Sequence, residues 1–324
     1  MAKEQLFELA RRTFDTPEFR GIECIEVEAK SVINRVTGSY LPFDWTINPY
    51  RGCMHACVYC FARPTHTYLD MNAGRDFETK VVVKVNAPAV LRRELAAKRW
   101  NGEHIAMGTG TDPYQRVEGR YRLMRGIIEA LIDHRNPFSI LTKGTLITRD
   151  LDLLVRAAEH AAVSAAFSIG TLDEAVWRET EPGTPSPKAR IEAVRTLVDA
   201  GIPTGVLMAP ILPGISDAPS QMRAVVEAAL DAGASHVSPI MLHLRPGVRE
   251  EFMPWLQAQH PDLVDRYEHL YRTPYGPKAL RNALSKRVYS SVDAHPGPRP
   301  TGSHRFRSSP PKEREARPVQ QPLW

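Results

Sequence analysis

The chain has 324 residues, 43% of them apolar and 24% charged, enough to bury a large core as one α/β domain with appendages or as two small domains. No run approaches the roughly 18 apolar residues that span a bilayer, and Met1-Ala-Lys-Glu-Gln-Leu-Phe-Glu-Leu-Ala-Arg-Arg12 lacks the unbroken apolar stretch of a signal peptide. The opening predicts a short surface helix on a soluble, cytoplasmic protein. A net charge of +5 and a pI near 9.0 admit a polyanionic partner such as nucleic acid. The excess is spread over loops and tail without a concentrated Lys/Arg run, which favours a slightly basic enzyme.

Residues 1–44 form an N-terminal extension, with a strand expected at Glu23-Cys-Ile-Glu-Val27, where apolar and acidic residues alternate. From residue 45 to about 245, short β-rich runs alternate with helical patterns. The strands are expected at Trp45–Asn48, His104–Met107, Phe138–Thr142, Ser164–Gly170, Thr204–Ala209 and His236–Met241. Between the second and third, Met124, Ile127, Ile128, Leu131 and Ile132 repeat at i, i+3, i+4, i+7 and i+8, one apolar stripe suited to packing on a sheet. Ser186-Pro187 opens a later helix as N-cap and first helical residue, and Gly201 closes it. Val81–Val85 is a further strand candidate, expected as an edge addition to the first crossover.

Six strands separated by helices call for parallel pairing with right-handed crossovers. Six units are too few for a closed eight-fold barrel. The expected fold is therefore α/β, a partial (β/α)6 TIM-type barrel over residues 45–245, with its site in the loops at the C-terminal strand ends. Residues 246–295 read as a helical, aromatic segment (Phe252, Trp255, Tyr267, Tyr271), and 296–324 as a disordered tail rich in Pro, Arg, Ser and Gln.

The chemistry-bearing feature is Cys53-Met-His-Ala-Cys57-Val-Tyr-Cys60, directly after the first barrel strand. The chain has four cysteines, and three of them lie within eight residues, which does not look like a disulfide framework. Structural zinc sites present four N/S ligands, whereas three thiolates on an iron–sulfur cluster leave one iron open to a substrate or cofactor. A zinc loop completed by His55 or His66 is the alternative, and Cys24 reads as a buried, inert thiol. Arg51 and Arg63 flank the loop, where guanidinium groups would favour a reduced, more negative cluster.

The spacing C-x3-C-x2-C, with Tyr59 before the third cysteine, resembles the signature of the radical S-adenosylmethionine (SAM) superfamily. The surrounding Asn48-Pro-Tyr-Arg-Gly-Cys53 and Cys57-Val-Tyr-Cys60-Phe-Ala-Arg63 look like the branch that contains spore photoproduct lyase. The resemblance runs from about Thr46 to His243. It implies a [4Fe–4S] cluster on Cys53, Cys57 and Cys60, with SAM chelating the open iron. Reductive cleavage of SAM would then give a 5′-deoxyadenosyl radical, with electrons from a donor such as flavodoxin or ferredoxin.

The resemblance also implies a SAM cradle. Thr109, Thr111 and Asp112, in Met107-Gly-Thr-Gly-Thr-Asp-Pro-Tyr-Gln115, stand where the family binds the SAM amino group. Lys143 stands where the carboxylate is paired, and Ser168 where the ribose is contacted. Ala209 belongs to the adenine-contacting segment, Tyr59 to the cluster loop, and Arg190 and Glu181 are further polar candidates. His243 and Arg245 lie where substrate groups reach such sites. The lyase uses a cysteine late in its chain as hydrogen-atom donor, and no cysteine follows Cys60 here. Three readings stay open: a radical SAM enzyme of unidentified substrate, a nucleic-acid repair or modification enzyme of the same chemistry, and a non-catalytic zinc or Fe–S protein.

Overall fold

The computed structural model describes residues 7–36 and 41–297. Eleven strands occur among them: β1 (Phe7–Arg12), β2 (Glu23–Glu28), β3 (Ile33–Arg35), β4 (Trp45–Ile47), β5 (Tyr50–Arg51), β6 (Lys80–Lys84), β7 (Ile105–Met107), β8 (Phe138–Thr142), β9 (Val163–Ser168), β10 (Thr204–Ile211) and β11 (Val237–Met241). They form two sheets, ordered β3-β4-β7-β8-β9-β10-β11 and β1-β2-β6-β5.

In the larger sheet the six strands from β4 to β11 pair in parallel, and β3 closes one edge antiparallel to β4. Strand order follows chain order, so each crossover advances one position, as in a barrel left open. This is the expected partial barrel. The registers Ile47↔Met107 and Met107↔Ile140 bring the C-terminal ends of β4 and β7 level, with β8 running two residues further to Thr142, and the loops that leave those ends share one mouth.

The crossover helices fall where the spacing places them. Leu123–Asp133 buries Met124, Ile127, Ile128 and Leu131 completely, each contributing roughly 1.5–3 kcal/mol of transfer free energy. Pro187–Asp199 starts with the Ser186 side chain accepting from Ala189 N at 3.2 Å, which satisfies an otherwise unpaired amide of the first turn. After β11, Arg249–Gln259, Val264–Leu270 and Lys278–Asp293 are helical, and Phe252, Tyr267 and Tyr271 stack among themselves in the core.

Two expectations change. Phe7–Arg12 is a strand antiparallel to β2 and not a helix. Residues of good helix propensity extend here because β2 offers a free row of peptide groups, and tertiary pairing overrides a weak local preference. The run at Lys80–Lys84 is no edge addition: it is an inner strand, parallel to β2 and antiparallel to β5. Most of the expected tail lies outside the described residues. No helix among the described residues is long and apolar enough to cross a membrane.

Ile128→Ala, at a fully buried position of the Leu123–Asp133 helix, is expected to lower stability by about 2–5 kcal/mol. Urea denaturation measures it, and a loss below about 1 kcal/mol would contradict the packing of that stripe on the sheet.

Candidate active site

The cysteine loop begins where the chain leaves the barrel. Past β4, Asn48 Oδ1 accepts from Gly110 N at 3.0 Å, and Tyr50–Arg51 then pairs with β6 in the second sheet. Gly52 makes the bend at φ +83°. A Cβ there would sit 2.7 Å from Lys80 O and 2.8 Å from His66 Cε1, so only glycine fits. Cys53 N then donates to Phe77 O at 2.8 Å. Within the loop Ala56 N and Cys60 N donate back to Cys53 O and Cys57 O, each at 3.2 Å. Across the mouth, Val58 N donates to Thr180 O and Gly183 N to His55 O, both at 3.1 Å.

Cys53, Cys57 and Cys60 are free thiols, the first two buried and the third half-buried. Burial pushes all three above the usual thiol range. Asp112 and the other two cysteines add to this at Cys53, whereas Lys143 and Arg190 act against it at Cys57, and Arg63 and Lys143 at Cys60. The thiols thus bear on one another's charge. Among the described residues no three His, Cys, Asp or Glu side chains gather as they would round one metal ion. A [4Fe–4S] cube takes each thiolate on a different iron, so that close convergence is not its requirement.

The flanking basic and imidazole groups serve the frame of the loop. Arg63 is only 2% exposed. Its Nε and Nη2 donate to Cys57 O at 3.1 and 2.9 Å, and Nη2 also pairs with Glu78. It braces the second cysteine's backbone rather than standing as a free cation. Arg51 donates to Thr65 O at 3.1 Å. His66 Nε2 meets Lys80 O at 3.0 Å, and His55 Nδ1 faces Asp112 Oδ2 at 3.3 Å. Each candidate zinc histidine thus bonds through one ring nitrogen, and His66 Nδ1 is buried without a partner. Cys24 lies in β2, its thiol pushed up to about 11 by burial.

Tyr59, Lys143, Ser168, Arg190 and Ala209, separated by up to 150 residues of sequence, meet round one buried carboxylate, that of Glu181. Lys143, just past β8, places Nζ 2.5 Å from Ser168 Oγ, 3.2 Å from Glu181 Oε1 and 3.5 Å from Ala209 O. The same ammonium lies 5.7 Å from the centre of the Tyr59 ring, within cation–π range. Ser168 Oγ donates to Ala209 O at 2.8 Å. Arg190 donates from Nη1 to Ser168 O at 2.8 Å and from Nη2 to Glu181 Oε2 at 2.5 Å, and Tyr59 OH donates to Glu181 Oε1. Burial alone would raise the Glu181 carboxyl. Arg190, Lys143 and these hydrogen bonds reverse that and hold it at about 2.

In the loop after β7 the side chains of Asp112 and Thr109 are bonded within the protein. Asp112 Oδ1 accepts from Thr142 Oγ1 at 2.6 Å and from Tyr114 N at 2.9 Å, and Oδ2 from Lys143 N at 2.6 Å. Burial acts to raise it, and His55 and these donors bring it below the ordinary carboxylate range. Thr109 shares a hydrogen bond with Thr46 at 2.5 Å, and Thr111 is buried. Gly108 bends at φ +85° with Leu141 O 1.8 Å from where a Cβ would be. A cavity of about 170 Å³ opens beside this loop, lined among others by His55, Tyr114, Arg116, Thr145 and Thr184. His243 and Arg245 join Tyr275 instead of the Glu181 cluster: His243 meets its ring edge-on at 4.8 Å, and Arg245 Nη2 donates to its hydroxyl at 2.8 Å.

The donor set fits a site-differentiated cluster with SAM beside it. It offers three buried thiols in one loop, with a polar cluster at the neighbouring strand ends. One donor of that cluster, Arg190 Nε, is buried without a partner, a group that a polar ligand would satisfy. Two residues escaped the sequence reading. Tyr275 and Gln115 carry no local pattern, because their roles arise from elements that meet only in space.

The Radical SAM superfamily model matches residues 47–228, and the chain belongs to that superfamily. The uncharacterized protein Rv2578c of Mycobacterium tuberculosis is 47% identical over 316 residues, 97% of this chain and 92% of its own length. The uncharacterized protein MJ0683 of Methanocaldococcus jannaschii is 33% identical over 198 residues, 60% of this chain and 70% of its own. Among solved structures, spore photoproduct lyase complexed with dinucleoside spore photoproduct shares the fold. Its TM-score is 0.62 at 16% identity, covering 87% of this chain and 83% of the lyase. The chain is thus an enzyme of the radical SAM class, a family that implies a [4Fe–4S] cluster and SAM.

Glu181 gives stability a definite pH dependence. Its folded pKa is depressed from 4.5 to about 2, so its contribution is complete above about pH 5 and is lost as pH falls through 4.5 towards 2. Denaturation midpoints from pH 5 to 3 are expected to fall more steeply for the wild type than for Glu181→Gln. Parallel curves would contradict the pairing.

Proposed function

We propose that Cys53, Cys57 and Cys60 hold a [4Fe–4S] cluster and that the strand-end residues beside it bind SAM for reductive cleavage. The observation that carries this reading is the convergence of Tyr59, Lys143, Ser168, Arg190 and Ala209 next to Cys57, from the cluster loop and from three successive βα units. A cluster held by Cys53, Cys57 and Cys60 would supply the electron for reductive cleavage of SAM, and with it radical hydrogen-abstraction chemistry toward a substrate.

The chain's own groups divide the remaining work. Lys143 offers an ammonium with three donors, now directed at Ser168 Oγ, Glu181 Oε1 and, at 3.5 Å, Ala209 O, so a SAM carboxylate would take the place of the longest of these and leave the Glu181 pair intact. Ser168 Oγ and Ala209 O present acceptors for hydroxyl and amine groups, and Arg190 Nε offers a free donor. Thr109, Thr111 and Asp112 shape the neighbouring loop, and Asp112 acts through His55 and Lys143 N more than as a direct acceptor. The low-potential electron comes from a donor such as flavodoxin or ferredoxin. That requirement and the free thiols suit a reducing, cytoplasmic compartment.

Anaerobic reconstitution tests the reading. A brown protein with broad absorption near 400 nm (roughly, for thiolate-bound clusters) that converts SAM to 5′-deoxyadenosine under a reductant is expected. Alanine at any one of the three cysteines should abolish both properties. A colourless wild type that leaves SAM intact would overturn it.

Lys143→Gln separates the two ligands of the site. Its iron content is expected to match the wild type, while SAM binding weakens by about tenfold or more, the cost of losing a charge-assisted bond. Isothermal titration of the reconstituted protein reads this directly, and an unchanged affinity would remove Lys143 from the SAM site.

A further inference from the structure

Gln115 is completely buried in the turn after Asp112. Its Nε2 donates to Gly52 O at 2.9 Å, and its Oε1 accepts from Met54 N at 2.9 Å. These two peptide groups stand on either side of Cys53. We propose that Gln115 is a positioning residue for the cluster, fixing the backbone across Cys53 and so the place where that thiolate meets iron. The inference rests on the cluster reading above for what Cys53 holds. The hydrogen bonds of the clamp do not.

The chemistry of the clamp is specific. One side-chain amide carries a donor and an acceptor side by side, matched here to a carbonyl and an N–H two residues apart. A hydrocarbon side chain makes neither bond, and a carboxylate makes only the second. Gly52 cannot hold itself in place, since its bend at φ +83° leaves no room for a side chain. With Cys53 N bonded to Phe77 O at 2.8 Å, Gly52 O, Cys53 N and Met54 N are all held by residues outside the loop. The thiol is left to point from a fixed frame. Asp112, from the same βα loop, secures the next turn through His55 Nδ1 at 3.3 Å. The loop after β7 therefore grips the cysteine loop at two points, from more than 50 residues away in sequence.

The test uses three full-length variants and one control. Gln115→Leu removes both bonds at similar volume, and Gln115→Glu keeps only the acceptor for Met54 N. Gln115→Asn keeps both functions on a side chain one carbon too short, and it takes the place of the leucine variant if that one does not fold. Trp100→Phe is the control. It removes a 2.7 Å bond from Trp100 Nε1 to Asn136 Oδ1 at the opposite end of β7 and β8.

Residue-resolved hydrogen exchange on metal-free protein reads the clamp. Met54 N–H is expected to exchange about tenfold faster in the leucine or asparagine variant, the factor that a lost buried hydrogen bond corresponds to. It should stay near wild type in Gln115→Glu and in Trp100→Phe. Iron and sulfide per chain after anaerobic reconstitution, with the EPR spectrum of the reduced protein, read the effect on the cluster. The leucine or asparagine variant is expected to hold severalfold less iron or to give an altered spectrum, while Trp100→Phe loads fully. Unchanged Met54 exchange, wild-type iron and spectrum in the clamp variants, or equal cluster loss in Trp100→Phe would each overturn the proposal. A wild type that takes up no iron would instead sink the cluster reading, and the exchange data would still decide whether Gln115 holds the backbone of Cys53.

Discussion

A carboxylate buried with only 4% of its surface exposed, that of Glu181, imposes the strongest constraint on this mouth. An ion in such a place must be paired and hydrogen-bonded or it destabilises the fold by several kcal/mol. Its partners come from everywhere the barrel needs tying: Tyr59 from the cysteine loop, Lys143 from the end of β8, and Arg190 from the helix that follows the Glu181 loop. Satisfying one charge therefore fixes the cysteine loop against two strand ends. It also bears on the local field in two directions, because Lys143 and Arg190 favour an anionic thiolate at Cys57 while the Glu181 charge itself opposes it.

The second constraint is steric and lies in the backbone. The mouth is crowded enough that several loops cross with no room for a Cβ. One at Gly108 would sit 1.8 Å from Leu141 O, and one at Gly183 would sit 2.0 Å from Met54 O. These approaches let loops from different βα units exchange peptide hydrogen bonds, as Gly183 N does with His55 O. The small sheet adds a pull from outside. By pairing β5 with β6 it draws the chain out of the barrel immediately before Cys53, so the first cysteine starts from an anchored strand.

Fold and chemistry rest on different supports here. A likeness at 16% identity to spore photoproduct lyase establishes a shared architecture and says nothing by itself of which groups do the work. The reading of the site stands on this chain's own side chains. They include an Asp112 whose oxygens accept from Thr142, Tyr114 N and Lys143 N and an Arg63 that braces the carbonyl of Cys57. Polar residues at a strand end have two uses, binding a ligand or stiffening the loop that binds it. In this molecule Asp112, in the loop after β7, is bonded to Thr142, Tyr114 N and Lys143 N, whereas beside the ends of β8 to β10 Arg190 Nε is buried without a partner.

Alternation and spacing alone determined a good deal. The six parallel strands, the apolar stripe of Leu123–Asp133 and the Ser186 cap were legible because period and capping chemistry are local properties of the chain. So was the three-thiol loop, since its ligands lie within eight residues. Only the tertiary structure decided that Phe7–Arg12 extends along β2, that Lys80–Lys84 is an inner strand, and that Glu181 gathers Tyr59, Lys143 and Arg190. The same holds for Gln115, which reaches back 61 residues to Met54 N. Pairing of a strand edge, compensation of a buried charge and capture of a distant peptide group depend on which segments meet. No window of sequence contains both halves of such a contact.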